Sequence, residues 1–222
     1  MRDKIKSKQY FDEFIREDHT RILNLSKKIE EGKIQEARIV PVKQGIFQIK
    51  LGIIIAKYSR GDSIQDLELS FVPIYKEWIK TFFSPEVYNE NLKMISLAVL
   101  FNMEPDFLLL AKKKLIENHI DDWLYNFLLN EKQNESGFLF PKRFRIFKEI
   151  AESVNKIELL KKYLKGWYNT DCEVFEAHKS DQKIYYGYWS FEAGAAVKIL
   201  GIDDSGLKDI PYYPYDLVHY KE

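Results

Sequence analysis

The sequence has little cysteine and no excess charge of either sign. Cys172 is the only cysteine among the 222 residues, which excludes an intrachain disulfide. Lysine plus arginine and aspartate plus glutamate both total 34, so no overall field points to nucleic acid or to a membrane surface. We therefore expect an unreactive thiol and a fold that needs no covalent cross-link, as is usual in the cytoplasm.

Long hydrophobic runs are also missing from the sequence. The longest apolar stretch, near Ile53–Ala56, is far too short to cross a bilayer. The first ten residues are mostly charged and lack the apolar run of a signal peptide. These features predict a cytoplasmic protein that has no membrane partner.

Metal and nucleotide signatures are absent as well. The sequence has no HExxH, no P-loop and no GxGxxG, and its four histidines are scattered: His19, His119, His178 and His219. The run Lys112–Lys114 follows apolar residues and is typical of a helix C-terminus, where the helix dipole favours cations. We predict no metal, no cofactor and no direct binding of nucleic acid.

What the chain does contain is helical periodicity. Apolar residues recur at three- and four-residue spacing in many segments, and no strand-like alternation persists. We predict an all-α fold, a compact bundle of roughly eight to ten helices in which two stacked layers are one arrangement, with helical segments at 1–118 and 119–222. The predicted helices are about Ser7–Glu31, Gln44–Ser59, Ile64–Phe83, Glu86–Asn102, Pro105–Asn118, Ile120–Glu131, Phe147–Val154, Lys156–Tyr168 and Ile184–Leu200. Between them, residues 133–147 are predicted to form a loop with a short extended piece.

The stretch YYGYWSFEAG, residues 185–194, places five aromatic residues around one carboxylate, Glu192. On a helix, Tyr185, Tyr188 and Trp189 would share one apolar face with Glu192. A buried carboxylate must be neutral, paired or hydrogen-bonded, because burying an isolated charge is costly. A structural strut is favoured here over a general acid, which normally needs a second carboxylate and a cleft.

The C-terminal stretch DIPYYPYDLVHY, residues 209–220, is rich in tyrosine and proline. Pro211 and Pro214 favour an extended backbone that fixes the tyrosines. Asp216 and His219 are three residues apart and could form a catalytic pair on a last turn. A segment clamped onto the helices is the favoured interpretation, since tyrosine serves as an anchor in packing and at interfaces.

The chain is more acidic toward its C-terminal end. From Gly166 onward, residues 166–222 carry 5 basic and 10 acidic side chains, a net charge of −5. The pairs Asp121-Asp122 and Asp203-Asp204 stand where helices or links begin, and helix capping explains them simply. A surface that contacts a basic partner is the alternative interpretation.

Two segments resemble one known family. YYGYWSFEAGAAVKILGIDDSGLKDIPYYPYDLVHY resembles the C-terminal region of PoNi-type immunity proteins, and IIIAKYSRGDSIQDLE resembles their N-terminal region. Together the likeness covers roughly residues 3–117 and 120–220. The resemblance implies an all-helical protein without catalytic activity that neutralises a DNA-degrading polymorphic toxin of the PoNe type in competition between bacteria. It also implies that Glu192, Trp189 and Tyr188 belong to the structural core of the family. The predicted structural core motif as a whole consists of Tyr185, Tyr188, Trp189, Glu192, Tyr215 and Asp216.

The leading hypothesis is therefore an immunity protein whose partner is a cognate nuclease toxin. The candidate toxin contacts are acidic residues and tyrosines of the C-terminal region: Asp171, Glu173, Glu176, Asp181, Asp203, Asp204, Tyr212 and Tyr213. One alternative is a helical adaptor that binds another protein, and the other is a hydrolase that uses Glu192 with Asp216. The sequence leaves open the identity of the toxin, the interface and the oligomeric state.

Overall fold

The computed structural model describes residues 1–130 and 135–221, and within these ranges it contains helices and no strand. This confirms the predicted all-α class. The described α-helices are α1 Lys8–Glu30, α2 Glu36–Arg60, α3 Ile64–Glu77, α4 Tyr88–Leu100, α5 Pro105–Glu117, α6 Trp123–Leu128, α7 Pro141–Glu152, α8 Lys156–Thr170, α9 Phe191–Leu200 and α10 Tyr215–Val218.

Most helix ends follow local sequence signals. Ser7 caps α1 by accepting a hydrogen bond from the Tyr10 amide at 3.2 Å. Gly61 ends α2 with φ +100°, a backbone conformation that favours glycine. Pro73 lies inside α3 without splitting it, and α3 runs to Glu77, where a π-helical turn, Trp78–Phe82, follows. The change from α-helical to π-helical geometry thus comes about one turn after the proline.

Three predicted helix starts were wrong. α2 begins at Glu36 rather than Gln44, and it continues through Pro41. α7 begins at Pro141 rather than Phe147, because proline is well suited to the first helical position, where its missing N–H is not needed. These corrections lengthen both helices at their N-terminal ends.

The third wrong start is that of α9, which begins at Phe191 rather than Ile184. Gly187 has φ +116°, which interrupts a right-handed helix. The Ser190 amide donates to the Tyr212 carbonyl at 2.8 Å, so the residues before α9 are paired with the C-terminal segment instead. The spacing of the aromatic residues before α9 imitated a helical period.

The chain divides by its internal contacts into two compact units. The first, unit 1, contains Met1–Phe82 and Glu176–Gly187. In unit 1 the Tyr185 hydroxyl donates to the Asp3 carboxylate, and the Tyr185 amide donates to the Tyr10 hydroxyl at 3.1 Å. The core of unit 1 is rich in fully buried aromatic side chains: Phe11, Phe47, Phe71, Tyr75 and Trp78.

Within unit 1, α2 is long and apolar enough to cross a membrane by length and composition alone. This corrects the expectation that no apolar stretch has the necessary length. The helix packs against α1 and α3, and its C-terminal half buries Ile53, Ile54 and Ala56 in the core. A buried core helix passes the same test, so the feature is weak evidence for a membrane.

The second unit, unit 2, contains Phe83–Phe175 and Tyr188–Glu222, and α4 packs against α9 at its centre. Gly194 permits a close approach, because a Cβ there would lie 2.7 Å from Cγ of Pro214. The Lys198 ammonium donates to three carbonyls, those of Leu100 at 3.2 Å, Val218 at 3.0 Å and Tyr220 at 2.6 Å. The predicted division of the chain into helical segments 1–118 and 119–222 stays a prediction.

Candidate protein-binding surface

Glu192 lies at the start of α9 in the interior of unit 2, and one of its two carboxylate oxygens accepts three hydrogen bonds from side chains. Its Oε1 accepts from the Tyr163 hydroxyl at 2.8 Å, the Trp167 indole at 2.7 Å and the Ser190 hydroxyl at 2.6 Å. Burial raises the pKa of the Glu192 carboxyl above its ordinary value, against the effect of these three donors. This arrangement is a structural strut that joins α8 to the start of α9.

The helix face from which the sequence analysis inferred this strut is not present in the structure. Tyr185 belongs to unit 1 and Tyr188 precedes α9, so these two tyrosines do not share a helix face with Glu192. Both tyrosines are buried, whereas Trp189 is only partly buried. The structure thus separates residues that the helical wheel had placed together, because the chain before Phe191 is not helical.

The C-terminal part of the predicted core motif is less buried than expected. Tyr215 begins α10 and is partly buried, while Asp216 in the same first turn is exposed. Asp216 is therefore corrected from a core position to a surface position. A hydrolase that pairs Glu192 with Asp216 loses its basis, since Glu192 is enclosed by Tyr163, Trp167 and Ser190.

One open cavity of about 400 Å³ lies in unit 2, beside the link between α7 and α8 and the end of α9. Its lining residues are Val154, Asn155, Lys156, Ile157, Glu158, Leu200, Gly201, Ile202 and Asp203. Neither Glu192 nor Asp216 lines it, so it does not unite the two carboxylates of the hydrolase alternative.

The neighbouring aspartates Asp203 and Asp204 have opposite environments. Asp203 is exposed and accepts from the Ser205 amide at 3.1 Å, and hydrogen bonds from Ser205 lower its pKa. Asp204 is 2% exposed, accepts from the Tyr213 hydroxyl at 2.6 Å and lies 2.9 Å from Nε2 of His219. The prediction that Asp204 and Tyr213 contact the toxin is therefore corrected, because both side chains are buried and are hydrogen-bonded to each other.

The acidic residues after α8 also divide into internal and external ones. The Asp171 side chain is 5% exposed, and Arg143 Nε lies 2.6 Å from its Oδ1. This ion pair ties the end of α8 to α7, so Asp171 is corrected to an internal role. Glu173 is exposed and forms an ion pair with Lys93 of α4.

The remaining acidic candidates, Glu176 and Asp181, belong to unit 1 and are both exposed. Glu176 has φ +59° and its carboxylate lies 2.5 Å from the Lys179 ammonium. In unit 2, Tyr212 is partly buried and has φ +69°, which is uncommon for a residue with a large side chain. The candidates that keep an accessible side chain are thus Glu173, Glu176, Asp181, Asp203 and, in part, Tyr212.

Sequence reasoning missed the partners of Glu192 and the aromatic residues that surround Tyr212. Tyr163 and Trp167 stand four residues apart on α8, a spacing that places them on one face, and this signal was available. The ring of Tyr168 stacks on that of Tyr212, and its centroid lies 4.8 Å from that of Phe175. No sequence pattern had indicated Tyr168 or Phe175.

Within residues 1–130 and 135–221, no group of three or more histidine, cysteine, aspartate or glutamate side chains is arranged to hold a metal ion. The sole cysteine, Cys172, is half-buried, and burial raises the pKa of its thiol to about 11. Desolvation of this kind favours the neutral thiol over the reactive thiolate.

The fold and the site thus define an all-helical protein in which some of the candidate carboxylates have internal structural partners and others are exposed. Comparison with models of protein families identifies the family of the chain. Residues 2–111 match the PoNe immunity protein (PoNi) N-terminal model, and residues 120–217 match the PoNe immunity proteins (PoNi) C-terminal model. The chain belongs to the PoNi family of PoNe immunity proteins.

Among solved structures, the chain is similar to protein PA2201 from Pseudomonas aeruginosa, with 18% sequence identity and a TM-score of 0.69. The alignment covers 95% of this chain and 87% of that one, and it shows a shared fold. No curated protein matches the sequence.

Proposed function

We propose that this chain is an immunity protein that binds a cognate DNA-degrading toxin of the PoNe type and neutralises it in the cytoplasm. The observation that carries the proposal is the match to both halves of the PoNi family, over residues 2–111 and 120–217. The proposed mode of action is stoichiometric binding rather than catalysis. It involves the toxin protein alone, without a cofactor and without direct contact with nucleic acid.

The accessible acidic residues support an electrostatic part in this binding. An enzyme that cuts DNA must bind phosphates and therefore presents a basic surface. Exposed carboxylates at Glu173, Glu176, Asp181 and Asp203 are suited to pair with such a surface and to speed the encounter. Because the formal charge of the whole chain is zero, the attraction must come from local patches rather than from the net charge.

Co-expression with the candidate toxin, followed by co-purification and a DNA-cleavage assay on the complex, tests the proposal. The expected result is a stable complex of fixed stoichiometry with suppressed cleavage of DNA. A toxin that remains fully active at an excess of this protein, with no complex formed, would contradict the proposal. A helical adaptor for a different protein would then become the leading explanation.

The electrostatic part is tested by reversing only the accessible carboxylates. A variant with lysine at Glu173, Glu176, Asp181 and Asp203 should bind the toxin more weakly, and its affinity should depend less on salt. Asp171 and Asp204 are left intact because they hold the fold together. The matched control carries four reversals at other exposed positions: Glu30, Asp66, Glu86 and Glu152. Equal losses in both variants would show that only net charge matters.

A further inference from the structure

Four aromatic side chains of unit 2 form a partly exposed group that the strut at Glu192 does not use. We call Tyr168, Phe175, Tyr188 and Tyr212 the aromatic cluster. The ring of Tyr168 lies at its centre, with centroid distances of 4.8 Å to Phe175, 5.0 Å to Tyr188 and 5.6 Å to Tyr212. The planes of Tyr168 and Tyr212 are only 12° apart, so these two rings are stacked.

The cluster has a buried base and an accessible top. Tyr188 is 4% exposed, whereas Phe175 is 51% exposed and the central and stacked rings, Tyr168 and Tyr212, are partly exposed. Aromatic rings that neighbours already hold lose little side-chain freedom when a partner covers them. Such rings are among the residues that most often dominate the energy of a protein interface.

The backbone that presents the cluster is itself constrained. The Tyr212 carbonyl accepts from the Ser190 amide at 2.8 Å, while Tyr212 keeps φ +69°. The Cys172 amide donates to the Trp167 carbonyl at 3.2 Å, which turns the chain after α8 toward Phe175. Left-handed backbone at a bulky residue is uncommon and costly, and it persists only where the surrounding structure holds it in place.

The charge around the cluster indicates which partner fits it. In the C-terminal part of unit 2, residues 166–175 and 188–222, the side chains of Asp171, Glu192 and Asp204 are buried in internal contacts, whereas Glu173, Asp203, Asp209 and Asp216 are exposed. The exposed basic residues in the described part of these ranges are Lys208 and Lys221, so acidic side chains outnumber basic ones on the accessible surface. Exposed Glu173 stands two residues before Phe175. The faces of aromatic rings attract cations, and arginine stacks on them best because its guanidinium is flat and weakly hydrated.

We propose that the aromatic cluster is the binding hot spot for an arginine-bearing basic surface of the toxin, with Phe175 as its exposed anchor and Tyr168 as its partly exposed centre. This inference rests on the proposed function and adds the location and the chemistry of the contact. Arginine side chains of the toxin stack on the accessible rings and compete with Lys93 for the exposed carboxylate of Glu173.

Binding of the purified chain to a catalytically inactive form of the cognate toxin, measured by titration calorimetry, tests the hot spot. Phe175→Ala should weaken the affinity at least tenfold, and Phe175→Trp should keep it. Leu139→Ala is the matched control, because Leu139 also belongs to unit 2 and is 52% exposed, yet lies outside the cluster. The melting temperature of each variant shows that it is folded.

A second substitution, Phe175→Lys, keeps a long side chain but places a cation where the toxin is expected to present one. It should weaken binding more than Phe175→Ala, and the difference should shrink at high salt. If the unmodified chain binds the toxin, and both Phe175→Ala and Phe175→Lys bind it with an affinity within twofold of the unmodified chain, the hot spot lies elsewhere while the proposed function stands. If the unmodified chain does not bind, the proposed function itself fails.

Discussion

The starts of α6 and α9 each place a carboxylate inside unit 2, and the two carboxylates use their oxygens differently. At α6, Asp122 uses both: Oδ1 caps the helix by accepting from the Leu124 and Tyr125 amides at 3.0 and 3.1 Å, and Oδ2 accepts from the Leu139 amide at 2.8 Å. The Tyr88 hydroxyl also donates to Oδ1, at 3.1 Å. Asp122 thus organises mainly nearby backbone.

At α9, the donors are side chains, and three of them meet a single oxygen of Glu192. Two of these, Tyr163 and Trp167, come from α8, so the carboxylate joins helices rather than capping its own turn. The comparison shows that a buried carboxylate can accept hydrogen bonds mainly from backbone amides, as Asp122 does, or from side chains of another helix, as Glu192 does. The number of carboxylate oxygens that accept hydrogen bonds then determines which substitutions the position tolerates. Four predictions test this difference.

The largest effect is expected for Glu192→Ala. Removing the carboxylate leaves the Tyr163 hydroxyl and the Trp167 indole buried without an acceptor, which should lower the free energy of unfolding by about 3 kcal/mol. Urea unfolding followed by circular dichroism measures this. Glu149→Ala, at an exposed position of α7, is the control and should change stability by less than about 0.5 kcal/mol. A Glu192→Ala variant as stable as this control would refute the strut.

The next effect is that of Asp122→Asn, which keeps the shape but replaces one oxygen by an amide group. That group would face the Leu139 amide, and two donors would then oppose each other. We expect a loss of about 2 kcal/mol, most of it from this unsatisfied contact. The same urea experiment measures it, and Asp121→Asn next to it, at an exposed residue, is the control.

A smaller effect is expected for Glu192→Gln, the corresponding change at α9. Because the three side-chain donors meet Oε1, a glutamine carbonyl placed there can accept all of them. The loss of stability should stay below about 1 kcal/mol. If Glu192→Gln proved as harmful as Asp122→Asn, the proposed difference between the two carboxylates would be wrong.

The smallest effect concerns pH. Burial raises the pKa of Glu192 above its ordinary 4.5, so the folded protein holds this proton more tightly than the unfolded chain does. The stabilisation from this shift is complete below the ordinary pKa and is lost as the pH rises through the raised value. Relative to wild type, Glu192→Gln should therefore gain stability as the pH rises above 4.5. Urea titrations across this range measure the change, and a constant difference would contradict it.

The helical class was predictable because apolar spacing and capping residues are local, as Ser7 and Gly61 illustrate. The environment of each carboxylate was not, because it depends on residues far away in the chain. Asp203 and Asp204 are neighbours of the same type in the sequence, and contacts with Tyr213 and His219, which come later in the chain, distinguish them. The false helix before Phe191 has a similar origin, since pairing between Ser190 and Tyr212 overrides an apparently helical period.

Lys198 has a consequence for how unit 2 folds. Its ammonium meets the carbonyls that end α4 and α10, at Leu100 and Val218, together with that of Tyr220. The C-termini of α4 and α10 each carry a partial negative charge, and the Lys198 ammonium stabilises both of them. That cation is tethered to α9 and cannot diffuse away as a solvent ion would. The packing of α4 and α10, which both contact α9, therefore depends on an intact α9, and the three helices should be lost together when unit 2 unfolds.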